Sequence, residues 1–266
     1  MMINDQIHWY RYEPACNNRI RKLSHDGLWI SDPKTFNDPF DLKLIFDKRG
    51  DWESNSQLYL SFLRQMLNSE NLSINFNNPI FPERSDIENV VNGIELSNES
   101  HLYDCINKKV SEFGVQCFSR NWNIPLSWAH YACGHRGFVI EYVAREFVLA
   151  SDNPGKCHFD NVIYVNQPPE FNLAECIFAP HATLKRFLAT KPSIWSYENE
   201  VRLIHYNTKG DVVDMPNGLS IDCIIMGASI EDDTKELLTA KAKELGVHLD
   251  YIITQFDGGM ERSREF

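Results

Sequence analysis

Residues 219–254, LSIDCIIMGASIEDDTKELLTAKAKELGVHLDYIIT, show the pattern on which the fold class depends. The apolar run over 219–226 predicts a buried strand. The amphipathic spacing over 232–245 predicts a helix that ends at Gly246, because glycine is suited to a helix C-terminus. Residues 247–254 predict a last strand, so a strand, a helix and a strand follow one another late in the chain.

Other elements precede this stretch without a regular alternation of strands and helices. Strands are predicted over 28–31, 115–119, 137–142, 161–165 and 201–205. The strand at 201–205 is expected to form a hairpin with 211–213 across the turn at 207–210. Helices are predicted over 125–131 and over 173–188, the second interrupted by Pro180.

Residues 50–114 differ from the flanking sequence because apolar residues recur there at helical spacing in three segments, the last over 102–110. We interpret this region as a helical insertion within one domain that spans 1–266. The predicted fold class is α+β: a single domain with a mixed, mostly antiparallel sheet and a helical insertion.

Composition excludes several classes of protein. The chain has 266 residues and is 43% hydrophobic, which argues against a disordered or fibrous protein. It has 37 acidic and 26 basic residues and a formal net charge of −11, so broad non-specific binding to nucleic acid or to anionic membranes is not expected.

Localisation is predicted from what the sequence lacks. The first residues contain no apolar signal segment, and no run approaches the ~18 apolar residues of a membrane span. The seven cysteines form no CxxC pair and are interpreted as reduced thiols. We therefore expect a cytoplasmic protein that does not bind membranes.

Two polar motifs lie near the N-terminus. In Tyr10-Arg11-Tyr12, a strand would point the Arg11 side chain away from both tyrosines, either as a surface residue or as a fork for phosphate or carboxylate. The turn FNDPFD over 36–41 is either a structural corner anchored by its phenylalanines or a loop that positions a polar group or a cation. Its candidate site residues are Asn37, Asp38 and Asp41.

Two further motifs occur in the middle of the chain. In QCFSR over 116–120, a strand would place Cys117 and Ser119 on one face. The segment WAHYACGHRG over 128–137 concentrates aromatic and polar groups, and we interpret Trp128, His130 and Tyr131 as a binding wall. Although histidine and cysteine occur together there, their spacing is not a usual zinc pattern, so no metal is predicted.

The last motif is WSYENEVR over 195–202. Glu198, Glu200 and Arg202 alternate, so on one strand all three would share a face. This arrangement is either a solvated strand with an ion pair or a site in which neighbouring charges determine the role of a carboxylate.

Together these motifs resemble a widespread bacterial family known mainly as a domain of unknown function. Members show an aromatic-Arg strand, an FNDPFD loop, a CFS strand, a WAHYA segment and a W-x-x-E-x-E-x-R strand, which correspond here to 10–12, 36–41, 117–119, 128–137 and 195–202. The resemblance implies a stand-alone bacterial cytosolic protein, in some cases encoded near mobile or phage-defence genes.

The order of Arg11, Ser119 and Glu200 is also similar to the Arg–Ser–Glu class of ADP-ribosyltransferases. That resemblance implies that Arg11 holds the pyrophosphate of NAD and that Ser119 supports its ribose pocket. Glu200 would stabilise the oxocarbenium-like ribose as nicotinamide leaves, and Glu198 would orient or deprotonate the acceptor. Tyr131 would stack on nicotinamide, with His130 beside it.

This resemblance predicts an enzyme that modifies an unidentified macromolecule with NAD, as a toxin or phage-defence effector with a possible cognate regulator. Two alternatives use other features of the chain. A non-catalytic ligand-sensing or protein-binding module would use the same aromatic wall. Whatever the function, Tyr12, Trp128 and Arg202 are further site candidates. A Mg²⁺-dependent nuclease would use Asp38, Asp41 and Lys43.

Overall fold

The structure is a computed structural model that describes residues 6–38, 40–41, 45–46, 52–68, 83–95, 104, 108, 110–145, 157–171, 173–206, 208–256 and 258–264. The chain divides into two compact units, which are described separately. Unit 1 comprises Met1–Ser31, Val115–Val162 and Ile194–Phe266, and unit 2 comprises Asp32–Gly114 and Ile163–Ser193.

Most of the strands lie in unit 1. In chain order the strands of both units are β1 (Gln6–Glu13), β2 (Gly27–Ile30), β3 (Ile45–Phe46), β4 (Gly114–Ser119), β5 (Phe138–Arg145), β6 (Cys157–Asn161), β7 (Ile163–Val165), β8 (Glu170–Phe171), β9 (Thr190–Pro192), β10 (Glu200–His205), β11 (Asp211–Asp214), β12 (Leu219–Met226), β13 (His248–Thr254) and β14 (Met260–Arg264). Eight of them form one sheet in unit 1, in the order β14-β13-β12-β5-β1-β4-β10-β6.

The helices of the described residues range in length from five to 16 residues. They are α1 (Asn17–Arg21), α2 (Trp52–Leu67), α3 (Arg84–Glu95), α4 (Pro125–Tyr131), α5 (Leu173–Phe178), α6 (Pro180–Leu188) and α7 (Asp232–Leu245), with 3₁₀ turns at Pro33–Thr35 and Ser193–Glu198. Within this described part of the chain, no helix has the length and apolar character that a bilayer-spanning segment requires.

The pairing of the large sheet confirms the predicted fold class. β12 and β13 pair in parallel, whereas β1 with β4 and β5, β5 with β12, β6 with β10 and β13 with β14 pair antiparallel. The fold is therefore α+β with a mixed, mostly antiparallel sheet. The parallel pair arises because α7 joins its two strands and ends at Gly246, which has a φ of 66°.

The predicted hairpin between 201–205 and 211–213 is wrong. β11 pairs antiparallel with β2, with Val212 opposite Trp29. The amide of Gly210 donates to the carbonyl of Ile30 over 2.8 Å at the end of this pair. The physical reason is that β10 already has a neighbour on each side, β4 and β6, so its backbone groups are occupied.

The two faces of the large sheet pack against different cores. The first face includes Trp9, Phe118 and Ile140, which belong to the larger apolar cluster together with Phe159, Val201 and Leu203. The second face includes Tyr10, Val139, Cys223 and Ile225, which pack with Trp128 of α4. Because side chains alternate along each strand, this assignment fixes the face of every neighbouring polar residue.

Unit 2 contains the helices predicted for 50–114. α2 packs against α3, and Phe62 of α2 lies 4.9 Å from Phe178 of α5 between ring centroids. The third predicted helix, over 102–110, lies largely outside the described residues. α5 and α6 are separate helices with Pro180 at the start of α6, as the interruption of the 173–188 pattern predicted.

Thiol reactivity gives a first testable prediction. Burial is the largest cause that raises the pKa of the Cys176 and Cys223 thiols to about 12, whereas Cys133 is exposed. A rise from 9.0 to about 12 lowers the thiolate fraction about a thousandfold near pH 8. We expect iodoacetamide to label Cys133 in the native protein and to spare Cys176 and Cys223, as read by peptide mass spectrometry.

Denatured protein provides the control, because all of these cysteines should be labelled there at similar rates. Equal labelling of Cys133 and Cys223 in the folded chain would contradict the burial of the second face.

Candidate functional site

Five polar residues of unit 1 form a carboxylate cluster where β4 ends and β10 begins: Ser119, Tyr131, Glu198, Glu200 and Arg202. The backbone joins the two strands there, since the amide of Arg120 donates to the carbonyl of Asn199 over 3.0 Å. Asn199 has a φ of 46°. This left-handed turn lies between Glu198, in the 3₁₀ turn, and Glu200, the first residue of β10.

Ser119 fixes the backbone of the cluster. Its Oγ donates to the carbonyl oxygen of Glu198 over 2.6 Å and accepts from the amide of Asn121 over 3.1 Å. Ser119 lies directly opposite Tyr10 on β1, so its side chain is on the second face. The hydroxyl therefore positions Glu198 through its backbone.

Tyr131 holds the side chain of Glu198. The Tyr131 hydroxyl donates to Glu198 Oε1 over 2.7 Å, across 67 positions of sequence. Tyr131 is the last residue of α4, which starts with Pro125 at its first turn. Glu198 is buried, so this bond offsets part of the cost of removing its carboxylate from water.

Glu200 and Arg202 form a buried ion pair on β10. Arg202 Nε lies 2.8 Å from Glu200 Oε1 and Arg202 Nη2 lies 3.3 Å from Oε2. The Arg202 side chain is 0% exposed and the Glu200 side chain is 4% exposed. Residues two apart on a strand share a face, and Val201 and Leu203 belong to the first-face core. Glu200 and Arg202 consequently share one face, as predicted, and that face is the second.

The expectation that Glu198 shares this strand is wrong. Glu198 belongs to the 3₁₀ turn Ser193–Glu198, and the left-handed residue Asn199 interrupts the alternation before β10 starts. Its carboxylate is brought into the cluster by Tyr131 and Ser119 instead of by strand geometry.

An aromatic rim adjoins the carboxylate cluster and consists of His130, Trp195 and Tyr197. Trp195 lies 5.8 Å from His130 and 6.0 Å from Tyr197 between ring centroids, and His130 lies 6.2 Å from Tyr131. His130 is exposed, and Trp195 and Tyr197 are partly exposed. These rings give the cluster an aromatic border that a ligand ring can contact.

Trp128 and Tyr12 support the site from the core. Trp128 is fully buried, so it does not belong to a ligand-facing wall as predicted; its Nε1 donates to the carbonyl of Trp122 over 2.7 Å. Tyr12 lies 5.4 Å from Trp128 in an edge-to-face contact. The Tyr12 hydroxyl donates to the carbonyl of Asn121 over 2.9 Å. Both side chains thus fix the loop that follows Ser119.

Arg11 does not join the carboxylate cluster. Its neighbour Tyr10 lies opposite Ser119, so Arg11 is on the first face whereas Ser119 and Glu200 are on the second. Arg11 Nε lies 2.5 Å from Glu13 Oε1, and both side chains are buried. The guanidinium is therefore committed to Glu13 on the opposite side of the sheet.

The FNDPFD turn belongs to unit 2. Asp38 is buried, and its Oδ1 accepts from the amide of Phe40 over 2.9 Å. Asp41 lies 3.8 Å from the buried Lys191, and Asn37 is exposed. Phe40 is 59% exposed, so it does not anchor the loop in a core as expected.

Lys43, the third residue of the nuclease hypothesis, lies outside the described residues. Among the residues that the structure describes, no group of three or more histidine, cysteine or carboxylate side chains is arranged to hold a metal ion.

Sequence reasoning missed two polar groups on the second face of unit 1. In one, Arg262 Nη2 donates to the buried carboxylates Glu141 (2.6 Å) and Asp250 (2.8 Å), while Tyr10 donates to Glu141 over 3.1 Å. The other consists of His158, Asp160 and Tyr206. The available signal was an ionisable residue inside an apolar strand pattern, as Glu141 is in GFVIEY.

One of three comparisons with known proteins finds a similarity, which covers part of this site. A model of the family described as Protein of unknown function (DUF2971) matches residues 127–203. No curated protein matches the chain, and no solved structure does.

The matched segment contains most of the carboxylate cluster and two of the resembling motifs. Tyr131, Glu198, Glu200 and Arg202 lie inside it, together with the rim. Arg11 and Ser119 lie outside it. The similarity to a domain of unknown function is therefore shown over 127–203 alone, whereas the full motif set and the resemblance to ADP-ribosyltransferases stay predictions.

Proposed function

We propose that the carboxylate cluster and the aromatic rim bind a small ligand that carries a flat ring and polar groups. The observation that carries this proposal is the hydrogen bond from Tyr131 to Glu198 beside the exposed ring of His130 and the partly exposed ring of Trp195. Ligand sites characteristically combine aromatic surface with a few polar groups held by the fold. Ser119 and Tyr131 hold Glu198 by its backbone and its side chain, which limits the entropy lost on binding.

NAD is the ligand that we propose to test first. Its nicotinamide ring is flat and carries an amide, so the ring suits contact with the rim and the amide N–H suits a carboxylate acceptor such as Glu198. A chain that only binds this ligand would act as a ligand-sensing or protein-binding module.

Transfer of ADP-ribose from NAD is the second candidate function, and the two carboxylates at Glu198 and Glu200 favour it. In this reaction the bond between the ribose C1′ and the nicotinamide nitrogen breaks, and positive charge develops on the ribose. A carboxylate stabilises that charge, and a base accepts the proton of the attacking acceptor. Glu200 and Glu198 would fill these roles for an acceptor that is protein, nucleic acid or water.

The position of Arg11 weakens the transferase candidate relative to ligand binding. A pyrophosphate bound beside Glu200 would lie on the second face, whereas Arg11 lies on the first and is paired with Glu13. Our version of the transferase candidate therefore assigns no role to Arg11.

Binding and transfer are separable in one experiment with Glu198→Gln. We expect NAD⁺ to raise the melting temperature of the wild type. We expect E198Q to bind at least about tenfold more weakly, because a hydrogen bond to a charged group contributes about 1.5–3 kcal/mol. Isothermal titration calorimetry gives the affinity, and nicotinamide release is followed in the same samples. Glu236→Gln, an exposed residue of α7, is the matched control and should behave as the wild type.

Each outcome has a distinct meaning. Binding without nicotinamide release supports the ligand-binding function, and release that disappears in E198Q supports transfer. Absence of both in the wild type rejects NAD as the ligand, and equal affinity of E198Q and E236Q rejects the carboxylate cluster as its site.

A further inference from the structure

Asp160, His158 and Tyr206 form a chain of contacts at the edge of the large sheet. His158 and Asp160 alternate on β6, and both lie on the second face because Phe159 between them belongs to the first-face core. His158 Nε2 lies 2.9 Å from Asp160 Oδ2. On its other side, His158 Nδ1 lies 2.8 Å from the hydroxyl of Tyr206, the residue after β10.

Of the three side chains, Asp160 is buried, whereas His158 and Tyr206 are partly accessible to solvent. The side chain of Asp160 is 4% exposed and that of His158 is 27% exposed, while Tyr206 is partly exposed. A reagent can therefore approach the tyrosine and the imidazole, whereas the carboxylate stays inside the fold.

The contacts define the direction of proton transfer. Asp160 Oδ2 lies 2.9 Å from His158 Nε2 without hydrogen-bond geometry, so the carboxylate acts on the ring through its charge. That charge favours a hydrogen on Nε2, and Nδ1 can then accept from Tyr206. Burial, followed by the charge of Asp160, raises the pKa of Tyr206 to about 12. Tyr206 therefore keeps its proton at neutral pH and needs a base to become a strong nucleophile.

We propose that Tyr206 is a nucleophile towards acyl esters, that His158 is its general base and that Asp160 orients His158. The geometry is the general one of an activated nucleophile: a hydroxyl within hydrogen-bond reach of a base that a third group orients. The cluster lies one strand from Arg202, whose register partner on β6 is Asp160, and it does not depend on NAD binding.

The reaction balances with groups present in the chain and water. The Tyr206 oxygen attacks the acyl carbon while its proton moves to His158 Nδ1. The ester C–O bond breaks, and the leaving alcohol takes that proton from His158. Water then hydrolyses the acyl-tyrosine, and His158 accepts and returns the proton in the same way.

The probe is p-nitrophenyl acetate, with release of p-nitrophenol and peptide mass spectrometry as the two measurements. We expect acetyl-Tyr206 to form faster than acetyl-Tyr251, which is 39% exposed and serves as an internal reference. His158→Gln should slow acetylation of Tyr206 at least tenfold, since general-base catalysis typically contributes 10²–10⁴-fold. Asp160→Asn should slow it as well, whereas His248→Gln, at an exposed position of β13, should leave it unchanged.

Two results would overturn the proposal. One is acetylation of Tyr206 no faster than that of Tyr251 in the wild type, and the other is an unchanged rate in H158Q. If H158Q does not fold, as judged by circular dichroism, Tyr206→Phe replaces it because the ring is retained. If Y206F then releases p-nitrophenol at the wild-type rate, Tyr206 is not the nucleophile.

Discussion

Arg202→Met should lower the free energy of unfolding by about 3–5 kcal/mol, the range observed when one partner of a buried ion pair is removed. The methionine keeps much of the volume of the fully buried arginine. It leaves the carboxylate of Glu200 inside unit 1 without the guanidinium at 2.8 Å. Urea denaturation followed by circular dichroism measures the change.

The double variant Glu200→Met with Arg202→Met provides the decisive control. It removes both charges, and buried pairs replaced by apolar residues are often neutral in stability, so we expect it to be more stable than R202M alone. Arg264→Met is the surface control, since the Arg264 side chain is 55% exposed beside Asp250 and such pairs contribute about 0–1 kcal/mol. A loss in R202M no greater than in R264M would contradict the burial of this pair.

The ion pair also explains how a charged motif can begin a central strand. β10 lies between β4 and β6, and its first-face residues Val201 and Leu203 supply apolar packing. Glu200 and Arg202 neutralise each other on the second face, so the strand buries both faces without an unpaired charge. The same arrangement holds Glu200 in one orientation, which any ligand-binding or catalytic role would require.

Local patterns were sufficient to predict most strands and helices of the described residues. The apolar run over 219–226 and the amphipathic spacing over 232–245 correspond to β12 and α7, and Pro180 separates α5 from α6. These predictions were confirmed because the spacing of apolar residues and the residue types at helix ends depend only on residues close in sequence.

Pairing between distant strands could not be predicted in the same way. The hairpin prediction for β10 and β11 used their closeness in sequence, but β11 pairs with β2 across about 180 positions. Only the complete order of the sheet shows that both sides of β10 are occupied.

The candidate site was predictable in its residues but not in its connections. Glu200 and Arg202 were expected to share a face, because a period of two is a local property of a strand. The contact of Tyr131 with Glu198 joins α4 to a distant turn, and no spacing rule relates them. The position of Arg11 on the opposite face from Ser119 follows from the register of β1 with β4, which the sequence does not state.

The turn that connects α4 to β5 depends on a glycine from another part of the chain. Gly227, just after β12, donates its amide to the carbonyl of Gly137 over 3.0 Å. A Cβ at Gly227 would lie 2.1 Å from the carbonyl oxygen of His135 and 2.7 Å from its carbonyl carbon. Both atoms belong to the backbone, so no side-chain rotation can relieve the overlap.

Gly227→Ala should therefore lower the free energy of unfolding by about 3 kcal/mol or more, at the upper end of overpacking costs. Relief requires the 133–137 turn to move, and this turn follows directly on Tyr131, so the variant should also weaken any ligand affinity that depends on Glu198. Gly246→Ala is the control: its φ is 66° and a Cβ there meets no atom within 4 Å, so it should cost only about 1–2 kcal/mol of backbone strain. Urea denaturation gives the free energy of unfolding of both variants, so the cost of a close backbone contact in G227A can be compared with the cost of backbone strain alone in G246A. If G227A loses no more stability than G246A, Gly227 does not approach the His135 carbonyl closely in solution. The 133–137 turn then does not hold the C-terminal end of α4 in place.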